Sequence, residues 1–366
     1  GGTLFRVSLS GMGETIHHFA SSRGGYRPQT TLTKAGSGIM YGTCSDTANI
    51  YQLSLDGIVS QFKSLTGGGI RYPDGDLAIL SDGSLMAVCA EGGASGVGGI
   101  YLLPPNGAPE FVHEFVNHEN FGGERPVGGL ASHPNGVLFG TTYEGGQNGA
   151  GTLYRMDAFG QLETLISFDH RGIDDRGAHP SADLMVASDG TIWGTTEEGG
   201  VTGDGTVFSM TADGDLTSHV DFSDSGESFR GGSPMGRLVE DVNHGAIYGV
   251  TWRGATNSSG TVFRLTSGGD FSTLVEFQSP GLEGDGRNPI AGVALGVDGR
   301  LYGATPNGGA SQHFGTVFAV AEGGALETLH SFTSFTAGGQ NPFGGLTWMP
   351  DGYFWGTTLS GSKVFK

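Results

Sequence analysis

One four-residue phrase, G-T-V-F or a close variant, returns along this chain at a spacing near fifty residues, and that return limits the fold more than any other feature. It stands as Gly2-Thr3-Leu4-Phe5, Gly151-Thr152-Leu153-Tyr154, Gly205-Thr206-Val207-Phe208, Gly260-Thr261-Val262-Phe263 and Gly315-Thr316-Val317-Phe318, with weaker copies beginning at Ala48, Gly98 and Ser362. Successive starts are 46, 50, 53, 54, 55, 55 and 47 residues apart. A self-similar period of this length marks a repeat architecture whose units bury their faces against one another.

Each unit carries the same four pieces, as the stretch from Ile290 to Phe332 shows: an apolar segment ending in an Asp-Gly turn, then L-Y-G-A-T, a glycine-rich loop, G-T-V-F-A-V, a further turn and L-E-T-L-H-S-F. Asp-Gly and Asn-Gly pairs beginning at 56, 82, 106, 135, 189, 298 and 351 are hairpin-turn signals, so their acids belong to turn chemistry. Four short antiparallel strands per unit make a propeller blade, and seven intervals predict an all-β, seven-bladed β-propeller forming one domain over residues 1–366. The first residues supply a third and a fourth strand (Gly2 to Val7, Glu14 to Phe19). The last supply a first and a second (Phe343 to Thr347, Tyr353 to Thr357). Joined, they close the ring as one composite blade and leave no open sheet edge. Lys363 to Lys366 repeat the third-strand phrase, so either copy is available for closure.

Glycine accounts for 70 residues, yet it follows no three-residue period and the hydrophobic fraction is an ordinary 36%, which excludes collagen and argues against disorder. No apolar run approaches the roughly 18 residues of a membrane helix, and no cleavable signal stands at the start. The chain opens inside a strand motif and reads as a mature or trimmed form of a secreted, periplasmic or cell-surface protein, expected as a monomer. Lys and Arg total 18 against 37 acids, a net charge of −19, which disfavours nucleic acid and anionic membranes as partners.

The pattern L-Y-G-T-T, G-G, G-T-V-F-R, E-T-L-x-S-F resembles the GloVer tandem repeat of bacterial surface and secreted proteins with varied anchors. The resemblance covers essentially the whole chain and implies architecture and export, but no activity. It weakens in the first two units, where G-T-T becomes Gly42-Thr43-Cys44 and Ala87-Val88-Cys89. The two cysteines occupy one repeat position, held elsewhere by Thr142, Thr196, Thr251, Thr305 and Thr358. They read as buried, inert thiols rather than a disulfide.

Loops on a rigid scaffold carry function, and in a propeller the inter-blade loops gather on one face around the channel. Here each ends in X-Pro: Pro28, Pro73, Pro126, Pro180, Pro234, Pro289 and Pro342. The preceding residues are Arg27, Tyr72, Arg125, His179, Ser233, Asn288 and Asn341. The last three are small turn residues, whereas the first four converge as a polar, chemically capable set on consecutive blades. Three residues after each proline a second ring reads Thr31, Asp76, Gly129, Asp183, Arg237, Gly292 and Gly345. An ion-pair network around Arg237 is its plain reading. Two carboxylates on non-adjacent blades do not by themselves cage a metal, so no metal or cofactor is required and only a structural calcium in the channel is left open.

Arg23, Arg27, Arg71, Arg125, Arg171, Arg176, Arg230 and Arg287 fall in inter-blade loops, and Arg253 follows a second strand, placing nine of the 18 basic residues on one face. Planar guanidinium groups suit carboxylate or sulfate recognition, unless loop acids such as Asp174, Asp175 and Glu119 occupy them. Tyr26, Tyr143, Trp252 and Phe314 add rings on which sugars stack, or which pack the loops down. G-x-S-x-G, H-E-x-x-H and paired C-x-x-C motifs are absent.

An acidic polysaccharide or oligosaccharide is therefore the expected partner, and β-elimination by a polysaccharide lyase the expected chemistry. That reaction needs a charge on the uronate carboxylate, a base at C5 and an acid for the leaving oxygen. His179 is expected as base, Tyr72 as acid or combined acid and base, and Arg125 with Arg27 as neutralisers. Arg71, Tyr143, Arg176, Trp252 and Arg237 are expected to bind substrate. These residue types are similar to those in the funnels of seven-bladed propeller polysaccharide lyases. Two alternatives stay open: a non-catalytic glycan-binding or adhesion propeller, and a glycoside hydrolase using funnel carboxylates such as Asp183 and Glu197.

Overall fold

The computed structural model describes the chain apart from residues 20–26, 37, 66–70, 117–121, 158–159, 171–175, 225–229, 255–257, 279–284, 311–313, 334–338 and 361–366. Seven antiparallel sheets follow one another around a central channel. Blades 1 to 6 span 33–64, 71–114, 131–167, 185–221, 239–276 and 293–331. Blade 4 is representative, with strands Met185–Val186, Ile192–Thr196, Thr206–Met210 and Leu216–Asp221 running from the channel outward.

Blade 7 is built from both ends of the described chain. Its inner strands Thr347–Trp348 and Tyr353–Ser360 are continued by Thr3–Ser8 and Gly13–His18, in a register that sets Leu4 against Thr357 and Val7 against Phe354. The N-terminal copy of the third strand closes the ring, and the second copy, Lys363 to Lys366, lies outside the described residues. The innermost strands are shorter than the sequence suggests and begin later, at Thr347 rather than Phe343 in blade 7. At the channel the backbones of neighbouring blades press on one another instead: Arg237 bridges Gly292 in parallel, and a Cβ on Gly129 would strike the Asp76 carbonyl.

The repeated phrases now have causes. The aromatic of G-T-V-F lies across the glycine of L-Y-G-T-T, so a Cβ on Gly194 would run into the Phe208 ring. The first glycine of G-T-V-F accepts the proline of the next blade, where a Cβ on Gly151 would sit 2.9 Å from Cδ of Pro180. Between blades lie apolar wedges. Phe139, Leu153 and Phe168 of blade 3 pack with Leu184, Ile192 and Phe208 of blade 4, and each such buried side chain contributes about 1.5–3 kcal/mol. A bulge recurs where the third strand meets the fourth, at Leu4/Phe5, Val207/Phe208 and the equivalent points of the other blades. Asp-Gly turns reach the left-handed region at glycine, with φ of 84° at Gly57 and 78° at Gly299. Turn acids behave as expected: Asp82 and Asp189 accept backbone N–H groups at 2.9 and 2.8 Å, and those bonds hold their carboxyls below the ordinary value.

A pair of threonine hydroxyls locks the second strand to the third in five blades, as in Thr142–Thr152 at 2.8 Å and Thr196–Thr206 at 2.9 Å. Cys44 and Cys89 stand at this position in blades 1 and 2, buried and not joined in a disulfide, and burial followed by the charge of Asp46 pushes the Cys44 thiol up to about 12. Both are inert thiols.

Candidate functional site

All seven residues preceding the inter-blade prolines have positive φ, from 50° at Ser233 to 59° at Tyr72. Proline normally pushes its predecessor into the extended region, and a left-handed conformation costs about 1–2 kcal/mol for most side chains. At Arg125, His179 and Ser233 two backbone bonds hold it. The His179 N–H donates to the Ala150 carbonyl of blade 3 at 2.8 Å, while the His179 carbonyl accepts from Glu197 N–H at 3.0 Å; Ser233, with Asp204 and Trp252, repeats the arrangement. Asparagine suits this conformation, and Asn288 and Asn341 also donate their side-chain amides to the carbonyls of Trp252 (2.9 Å) and Pro306 (2.8 Å). Arg27, Tyr72, Arg125 and His179 hold the same backbone with bulkier groups.

His179 reproduces the asparagine contact with its ring, because Nδ1 lies 2.7 Å from the Tyr143 carbonyl. A carbonyl only accepts, so Nδ1 carries the proton and the neutral ring presents its lone pair at Nε2. The ring is stacked on Tyr143, 4.5 Å between centroids and 25° from parallel, and the guanidinium of Arg125 covers Tyr143 at 5.2 Å. Arg125 is ion-paired and hydrogen-bonded to Glu144. The Tyr143 hydroxyl and the Glu197 carboxyl are neighbours. Burial first, then Glu197 and Glu198, push the phenol up to about 12, and burial likewise raises Glu197. The neighbouring Tyr143 hydroxyl and the charge of Arg253, lying 5.1 Å over Trp252, oppose that rise.

On the open side of His179, Glu198 Oε2 lies 3.9 Å from Nε2 and 4.0 Å from Nδ1 of His170, whose ring meets His179 edge-on at 4.5 Å. The three donor atoms lie within 4.8 Å of one another, the one such set of three among the described residues. The Glu198 backbone is fixed beside His179 by paired bonds with Ala178 (2.7 and 3.0 Å) and by the Thr196 hydroxyl on its carbonyl (3.0 Å).

The expected residues do not all meet. Arg125, Tyr143 and His179 form one cluster over blades 3 and 4, whereas among the described residues no hydrogen bond or ring contact joins Tyr72 to it. Arg27 faces Asp46 at 3.8 Å on blade 1. Arg71 lies in the strand Arg71–Pro73 in register with Glu91, and Arg176 is exposed, its carbonyl accepting from the Thr206 hydroxyl at 3.4 Å. Trp252 is half-buried beside Arg253, and Phe314 packs against the wedge between blades 6 and 7. Arg23, Tyr26, Glu119, Arg171, Asp174 and Asp175 lie outside the described residues.

The channel encloses about 690 Å³ between walls of Leu, Val, Ala and Met from all seven inner strands. At one mouth Arg237 lies 4.0 Å from Asp76, and Asp183 accepts the Gly129 N–H. Burial, then the charge of Asp183, pushes the Asp76 carboxyl well above the ordinary aspartate range. Sequence reasoning missed Asp74, directly after Pro73. Burial chiefly drives its carboxyl up to about 6, against a hydrogen bond from Ser45 and the charges of Arg125 and Arg27. His170 and Glu198 were missed as well. Aligning the residue pairs that follow each G-T-T, such as Tyr143-Glu144, Glu197-Glu198 and Trp252-Arg253, would have exposed Glu198.

The fold is similar to that of streptogramin B lyase, at a TM-score of 0.64 and 17% identity over 98% of each chain. It is also similar to a catalytically inactive virginiamycin B lyase from Staphylococcus aureus with quinupristin, at a TM-score of 0.61 and 17% identity over 98% of this chain and 100% of that one. At these identities the likeness is one of fold. A comparison with curated sequences finds no match. The Gloeobacter/Verrucomicrobia repeat, by contrast, matches over residues 1–177, 45–243 and 228–365, which together leave only the final residue uncovered. The phrases that build the blades are thus that repeat, and the chain belongs to the Gloeobacter/Verrucomicrobia repeat family.

Proposed function

We propose that this protein is a polysaccharide lyase that cleaves a uronate-containing glycan by β-elimination at the loop face of blades 3 and 4. The observation that carries this reading is the hydrogen bond from His179 Nδ1 to the Tyr143 carbonyl, which leaves Nε2 as a proton acceptor beside a phenol and a guanidinium. Nε2 takes the proton from C5 of the uronate, and a C4–C5 double bond forms as the C4–O bond breaks. The departing oxygen keeps the electron pair and receives a proton from the Tyr143 hydroxyl. Tyr143 thus fills the role expected of Tyr72. A phenol raised to about 12 keeps its proton at neutral pH until the leaving oxygen needs it.

Arg125 supplies the planar fork for the uronate carboxylate, which acidifies C5. Its present partner Glu144 is 39% exposed and Arg125 itself 49% exposed, so an entering carboxylate displaces a weak pair. Streptogramin B lyase, on the same fold, is a lyase too. The hydrolase reading is less favoured, because Asp183 is held by the Gly129 amide at the channel mouth.

Incubation with a panel of uronate-containing glycans, followed by the ultraviolet absorbance of the unsaturated product, tests the proposal. Product formation that disappears in His179→Asn is the expected result. Saturable binding of acidic glycans without any unsaturated product would instead make this a glycan-binding propeller.

A further inference from the structure

His170, His179 and Glu198 bring together two imidazoles and a carboxylate that the elimination uses only in part. Their donor atoms are 3.9 and 4.0 Å apart across Glu198 Oε2. Metal bonds of about 2.0–2.2 Å place neighbouring donors roughly 3–3.5 Å apart, so a side-chain adjustment of under about 1 Å completes a first shell. The supporting shell is already in place: a ligating histidine characteristically donates its other ring N–H to a carbonyl or carboxylate, and His179 does so to Tyr143 at 2.7 Å. Glu198 is anchored through its backbone to Ala178 and Thr196. Among the described residues, no Lys or Arg pairs with its carboxylate.

We propose that these three residues form a site for a divalent first-row transition ion of the zinc type, and that its occupation silences the elimination by taking the His179 Nε2 lone pair. The second half of this proposal rests on the lyase reading. Two imidazoles with one carboxylate suit zinc or cobalt, whereas calcium and magnesium prefer shells of oxygen. His170 and Glu198 are 47% and 46% exposed, so an ion arrives from solvent and keeps open positions for water. A ring nitrogen that holds a metal cannot accept the C5 proton, so ion and reaction exclude each other.

Calorimetric titration of the full chain with Zn²⁺, and the visible spectrum on adding Co²⁺, decide the site directly. One equivalent should bind, and His170→Ala, Glu198→Gln and His179→Asn should each weaken binding by at least about 10-fold. The third variant keeps the hydrogen bond to the Tyr143 carbonyl, as Asn288 keeps its own to Trp252, and so separates loss of a ligand from loss of fold. No saturable binding, or binding unchanged in His170→Ala, overturns the site. In the activity assay Zn²⁺ should stop elimination, a chelator should restore it, and His170→Ala should turn over normally while ignoring Zn²⁺. A chelator that abolishes turnover would make the ion a cofactor and overturn silencing. If no glycan is turned over under any condition, the lyase reading falls and silencing with it, while the titration still decides the metal site.

Discussion

His179 and Asn288, two blades apart, make the same bond: one ring nitrogen and one side-chain amide, each at positive φ before a proline, donate to the carbonyls of Tyr143 and Trp252 at 2.7 and 2.9 Å. Replacing His179 by Asn should therefore leave the melting temperature unchanged or raise it slightly, since asparagine tolerates this backbone better. Turnover should fall by about 10²–10⁴-fold, the usual effect of losing a positioned base. His179→Ala loses the hydrogen bond as well and should cost about 1 kcal/mol or more in denaturant unfolding. A variant carrying Asn that melts early would show that the imidazole is retained for packing.

Arg125 should matter to the ligand and little to the fold. Its pair with Glu144 is half-exposed, so Arg125→Ala should change stability by at most about 1 kcal/mol. Arg125→Lys should also impair turnover, because a point charge does not replace a planar fork. Affinity for an acidic glycan should weaken with added salt and that for a neutral analogue should stay poor. Titration calorimetry at two ionic strengths checks this, and equal affinity for charged and neutral glycans would remove Arg125 from the site.

The buried carboxyl of Asp74 makes the folded protein hold a proton more tightly than the unfolded chain, since burial pushes it up to about 6 from 3.8. This contribution to stability is complete below the ordinary aspartate value and is lost as pH rises through about 6. Asp74→Asn should match the parent near about pH 4 and melt higher at about pH 7. Thermal melts across that range test it. A variant less stable at neutral pH would mean that the charges of Arg125 and Arg27 outweigh burial.

Closure by Thr3–Ser8 and Gly13–His18 predicts that deleting residues 1–20 unfolds the protein in one transition, because the strand Tyr353–Ser360 loses its outer neighbour. Circular dichroism of the truncated chain is the measurement. An unchanged melting temperature would place ring closure elsewhere.

Much of this was legible in the repeat. Blade number, the composite blade and the alignment of the seven prolines follow from G-T-V-F and X-Pro, because each phrase marks one contact, aromatic on glycine or proline on glycine. The left-handed backbone before the prolines was not legible. Asparagine and serine hint at it in blades 5 to 7, but arginine and tyrosine in blades 1 to 3 carry no such signal, and one of the two bonds that hold His179 comes from a neighbouring blade. Tyr72 shares the register of Arg125 and His179 without a hydrogen bond or ring contact to them among the described residues, since equal register places residues on a ring and leaves their reach unspecified. His170 was illegible for the opposite reason: it lies beyond the last strand of blade 3, in a loop without repeat register, and meets His179 only through the packing of blades 3 and 4.

The backbone bonds that hold the positions before the prolines do not involve their side chains; both are made at Arg125, His179 and Ser233, and Asn288 and Asn341 make the first of them. The loop face thus presents seven positions of one backbone conformation, at 27, 72, 125, 179, 233, 288 and 341, that carry five different residue types. A family that keeps the backbone and rewrites the residues can change ligands faster than it changes shape. A library varied at those seven addresses alone would sample that repertoire in a scaffold that stays folded.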